Sequence, residues 1–237
     1  MDKMRLIYLV VVTAAIGSFA TVALTNSADR DLPRSDIDID IEALLGDIQK
    51  VSSNLEVADL VWWLPIEYFQ AMGQEPADEM SFRDLEEALS PYTLVAVQWG
   101  RLLPSGHITW IDSSRLRKGV ALVDADGKEY RPYPDEDVSD VARSVVEGMK
   151  QAFTAADPEG GPNLYFFFFP ANTVSGRRIA DPRQEGSFSI RMEKVTYEWR
   201  LPLGSFLPPR KCPVDGEQMP GNWRFCPWHG KELVAVD

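Results

Sequence analysis

The chain of 237 residues has little of what usually carries redox or metal chemistry: two cysteines, both beyond position 200, and two histidines, His107 and His229. It contains neither G-x-S-x-G nor S-x-x-K, so serine acylation has no support. No glycine or lysine spacing after Gly160-Gly161 makes a phosphate loop or a dinucleotide fingerprint. Positive charge is also scarce, with 24 Lys and Arg against 36 Asp and Glu and a net charge of −12. Such a field repels a phosphate backbone, so no nucleic-acid partner is expected. Hydrophobic residues at 45% and charged residues at 25% are ordinary for a globular chain and exclude wholesale disorder, a collagen-like fibre and a multi-span membrane protein.

Long apolar runs are absent except at the N-terminus. Residues 6–24 carry no charge and follow Lys3 and Arg5. At about 1.5 Å per helical residue this run crosses most of a ~30 Å hydrocarbon layer and reads as a transmembrane anchor. The small-residue patterns Ser18-Phe19-Ala20 and Thr21-Val22-Ala23 also suit a cleaved signal peptide. Basic residues stand on both sides, so the positive-inside rule orients the segment weakly. Either reading places the rest of the chain outside the cytoplasm, anchored in the membrane or secreted.

Four stretches follow: the anchor or signal peptide at 1–25, a polar linker at 26–35, a main domain at 36–208 and a small unit at 209–237. Asp36, Asp38 and Asp40 invite a calcium loop, but Ile41 and Asp47 stand where an EF-hand needs Gly and Glu. Ile41, Leu44, Leu45, Ile48 and Val51 instead predict a helix from about Asp40. Ser81 and Asp84 resemble a capping box for a second helix, closed by Ser90-Pro91. Asp137 as cap, followed by Val138, Val141, Ala142, Val145, Val146, Met149, Ala152 and Phe153, predicts the strongest helix. Residues 93–99, 107–112, 119–124 and 128–133 read as strands, the last two joined by an Asp126-Gly127 turn. The run 164–170 predicts a strand buried on both faces, and 186–194 and 195–203 predict two more. Strands in runs with inserted helices point to an α+β domain built on a mostly antiparallel sheet or sandwich.

The tail repeats itself. Cys212-Pro213-Val214-Asp215-Gly216 aligns without gaps on Cys226-Pro227-Trp228-His229-Gly230, fourteen residues later, and Met219 aligns on Leu233. Two cysteine turns facing one another, each with a second donor before its glycine, supply the four ligands that tetrahedral Zn²⁺ prefers. The segment 211–234 resembles a zinc ribbon, whose knuckles usually read C-P-x-C-G. The resemblance implies a small C-terminal zinc-ribbon-like unit with a structural zinc on Cys212, Asp215, Cys226 and His229. Asp and His replace the second cysteine of each knuckle. The competing expectation is a Cys212–Cys226 disulfide, worth ~3 kcal/mol for a loop of this length in the chain-entropy model.

The main domain carries no catalytic motif. His107 has no ligand partner at motif spacing, and the carboxylate clusters precede helices as solvated caps. Aromatic residues are plentiful, and the adjacent Trp62 and Trp63 cannot both face one core. One of them is expected on the surface as a ligand or partner contact, whereas Trp223 and Trp228 are expected to pack the small unit on the main domain. These readings describe a membrane-tethered extracytoplasmic binding or accessory module with a protein partner, carbohydrate being the other candidate ligand. The rivals are an envelope polysaccharide-acting enzyme with carboxylates in a Trp-lined cleft and an accessory subunit of a membrane complex.

Overall fold

A computed structural model describes residues 39–54, 56–72 and 81–236. The anchor or signal peptide, the linker, and Asp36 and Asp38 lie outside the described residues. Among the described residues no helix is long and apolar enough to cross a membrane. The fold is α+β, and every strand pairing is antiparallel.

The first sheet is built around β3 (Tyr92–Leu102), whose eleven residues pair along both edges. One edge takes β2 (Val57–Trp63), which in turn pairs with β1 (Gln49–Lys50). The other edge is shared: β7 (Tyr165–Pro170) occupies the first half of β3 and β4 (Ile108–Trp110) the second. The second sheet runs in the order β6 (Glu129–Tyr130), β5 (Val120–Val123), β8 (Gly186–Met192), β9 (Val195–Leu201).

The two sheets differ in burial. In β9 Tyr197, Trp199 and Leu201 are buried while Thr196, Glu198 and Arg200 are exposed, the alternation of a sheet with one wet face. In β2 the last five residues are all buried, because the first sheet is covered twice. Asp59 and Trp63 share one face and meet the second sheet, Asp59 at Tyr197 and Trp63 edge-on to Phe188. Trp62 faces the other way, edge-on to Tyr68 of α2 (Ile66–Ala71) and Phe153 of α5 (Asp140–Ala156). Helices α1 (Ile41–Ile48) and α3 (Phe82–Leu89) also bury apolar stripes in this one core. The expectation that Trp62 or Trp63 is exposed is therefore corrected: both are buried, at 0% and 1% exposure, because a strand covered on both faces can bury two adjacent indoles.

Local signals meet their caps with small shifts. Asp40 caps α1, and Ser81 and Asp84 form a full capping box on α3. Ser139 rather than Asp137 caps α5, because residues 135–137 form a 3₁₀ turn first. Asp112 caps a helix, α4 (Ser113–Gly119), between two of the expected strands.

Candidate metal centre

The C-terminal unit hangs on β10 (Arg210–Lys211), the middle strand between β11 (Gln218–Met219) and β12 (Val234–Ala235). Its two halves repeat in their hydrogen bonds as well as in their residues. Cys212 N–H donates to Glu217 O at 2.9 Å, and Gly216 N–H to Cys212 O at 2.9 Å; Cys226 N–H donates to Lys231 O at 2.8 Å, and Gly230 N–H to Cys226 O at 2.8 Å. Lys211 pairs with Gln218 as Phe225 bridges Glu232. Gly216 and Gly230 close these turns at φ +77° and +61°, where a side chain would be strained. Cys212, Met219, Cys226 and Leu233 form a small core of their own.

The two turns face each other. His229 Nδ1 lies 3.4 Å from Cys212 Sγ and 3.5 Å from Cys226 Sγ. The ligating atoms of Cys212, Cys226 and His229 all fall within 4.8 Å of one another. Asp215 Oδ2 lies 3.6 Å from His229 Nδ1, but its carboxylate is not within that range of all three, so three of the four expected ligands are brought together. A tetrahedral centre with bonds of ~2.3 Å to sulfur and ~2.0 Å to nitrogen separates S from N by about 3.5 Å. The observed spacings match that edge. Both cysteines are buried free thiols, close enough to bind a metal or to be joined as a disulfide.

The surroundings treat the two sulfurs differently. Burial pushes the Cys212 thiol above its ordinary value, although the N–H groups of Val214 and Asp215 point at it. Burial acts on Cys226 in the same sense, but the N–H groups of His229 and Trp228, with the side chains of His229 and Cys212, outweigh it and bring Cys226 below its ordinary value. Asp215 is held low by the Glu217 N–H and the Cys212 thiol, and by the nearby His229.

Trp223 and Trp228, which the sequence suggests pack the unit on the main domain, are 42% and 72% exposed. The close contacts come from small residues instead. A Cβ on Gly221 would stand 2.4 Å from the Pro208 carbonyl oxygen, and one on Gly204 would stand 2.8 Å from Asn222 Oδ1. Neither glycine is marked by any motif, so this seam is invisible to spacing arguments. The other unheralded feature is a cavity of about 270 Å³ lined by Trp63, Glu67, Glu86, Arg178 and Asp181, none of which belongs to the C-terminal unit. Burial raises Glu67 above the ordinary carboxylate value, against the opposing effects of its own backbone N–H and of Arg183, 3.5 Å away. His107 is exposed.

Compared with protein-family models, with curated proteins and with solved structures, the chain gives no significant match.

Proposed function

We propose that the protein is a membrane-tethered extracytoplasmic binding or accessory module for a protein partner, and that its C-terminal unit is built on a structural zinc ion. The observation that carries the metal reading is the convergence of Cys212, Cys226 and His229 from two equivalent turns. Two sulfurs and an imidazole are donors that zinc accepts, and with the Asp215 carboxylate drawn in as the fourth no open position is left for catalysis. Tethering rests on the uncharged run 6–24. Elemental analysis of the purified full chain tests the metal: one zinc per chain is expected, and Cys226→Ser is expected to lose it. A wild-type chain without zinc, or a variant that retains it, would contradict the proposal.

An enzyme acting on envelope polysaccharide is the second reading, and the cavity beside Glu67 is its support. A desolvated carboxylate in a concave site with Glu86 and Asp181 is the setting in which a general acid is held protonated. The Arg183 partner of Glu67 and the small volume weigh against it. Release of soluble sugar from envelope polysaccharide, lost in a Glu67→Gln variant that stays folded, would establish this reading; no release would end it.

A further inference from the structure

Six of the ten exposed large apolar side chains among the described residues lie in the last 24: Val214, Trp223, Phe225, Trp228, Val234 and Val236. Their arrangement follows from the repeat. Val214 and Trp228 hold the same place in the two turns, two residues after Cys212 and Cys226, whose ligating atoms are close together. They are 58% and 72% exposed. Phe225, next to Cys226 in sequence, is 52% exposed, and the Arg224 guanidinium lies 5.2 Å from its ring centre. The exposed Lys231 follows Gly230 in the second turn.

Charge separates this unit from the rest of the chain. Residues 209–237 hold four basic and four acidic side chains, so the whole excess of −12 lies in residues 1–208. Asp215, one of the four, is engaged with Cys212 and His229. A turn pair that carries exposed Trp and Phe beside Arg and Lys, without net charge, has the composition of a membrane-interface anchor, where ring bodies sit at headgroup level and cations reach the phosphates.

Position favours the same occupant. The first described helix, α1, is tied to the root of the unit, where Asp47 Oδ2 accepts from Ser205 N–H at 2.8 Å. Residues 202–208 in turn carry the unit through Gly204, Pro208 and Asn222. Only 14 residues separate the apolar run 6–24 from the start of the described fold at Ile39. Fully extended, they reach at most about 50 Å. The described fold therefore begins near the part of the domain from which the C-terminal unit is carried.

We propose that the end formed by Val214, Phe225 and Trp228 inserts at headgroup level into a phospholipid bilayer, as a second membrane contact beside the N-terminal tether. The proposal rests on the tethered reading above, and the test separates the two. The full chain is reconstituted in phosphatidylcholine–phosphatidylglycerol vesicles with ordinary or brominated acyl chains. Flotation reports the tether. Tryptophan emission reports the second contact alone, because residues 6–24 contain no tryptophan and the first one is Trp62. Brominated lipid is expected to quench part of the emission, and Trp228→Phe, still floating and unfolding at the same temperature, is expected to lose most of that quenched part. A chain that floats with equal emission in both lipids, or a quenched part unchanged in Trp228→Phe, would overturn the insertion and leave the tether standing. A chain that does not float would remove both. A concentration-dependent dimer dissociated by Trp228→Ala, without quenching, would assign the surface to a second copy and overturn the bilayer.

Discussion

The Tyr197 hydroxyl donates to the buried carboxylate of Asp59, joining β9 of the second sheet to β2 of the first. Asp59 also accepts from Ser52 N–H at 2.8 Å and Ser52 Oγ at 3.1 Å. A buried carboxylate with three donors is satisfied, whereas removal of one donor leaves it partly unpaired. Tyr197→Phe is expected to cost about 1–3 kcal/mol, and denaturant unfolding measures it. A loss below a few tenths would show that water replaces the hydroxyl.

Gly221 and Gly148 should respond in opposite directions to the same change. A methyl at Gly221 meets backbone and side chain of Leu207 and Pro208 at 2.4–2.9 Å, so Gly221→Ala is expected to loosen the seam, with about 1–3 kcal/mol lost and faster proteolysis near 207–209. A methyl at Gly148 meets nothing within 4 Å on an exposed helical turn. Gly148→Ala is expected to stabilise by about 0.5–1 kcal/mol. Equal effects would show that the seam is not close-packed.

Glu67 sets a pH dependence whose sign follows from its burial. Its folded pKa lies above the ordinary 4.5, so the folded state holds this proton more tightly than the unfolded chain. The stability it contributes is present below 4.5 and lost as pH rises through the folded value. Glu67→Gln cannot lose a proton, so its stability relative to wild type is expected to rise through that window. Urea unfolding of both proteins from pH 4 to pH 7 checks the trend; a fall would mean that the Arg183 ion pair outweighs burial.

Metal removal should act locally. Cys212, Met219, Cys226 and Leu233 form a cluster separate from the main core. A chelator is therefore expected to raise backbone hydrogen exchange across 210–236 while strands β2, β3 and β8 keep their protection. Uniform loss of protection would show that the two cores fold as one.

What could be read from residues depended on whether local signals decided the outcome. The stripe of α5 apart from the exposed Val141, the alternation in β8 and β9 and the Asp126-Gly127 turn each answer to one period or one dihedral requirement, and these are present. The facing cysteine turns were legible for the same reason: the spacing of fourteen carries over to the cysteine and glycine N–H bonds that close each turn. Trp62 and Trp63 were not, because their burial depends on a helical layer and a second sheet brought from residues 140–156 and 186–201. Trp228 misled in the opposite sense, since the packing of its unit falls to two glycines that expose no apolar pattern.

The metal at the paired turns is the central claim, and intact mass on one preparation of the full chain, measured natively and again after denaturation, tests it most directly. The account predicts a native mass higher by one zinc ion and a denatured mass equal to the fully reduced chain, with both thiols open to alkylation. A mass two hydrogens below the reduced chain in both measurements, with neither thiol alkylated, would establish a Cys212–Cys226 bridge and contradict it.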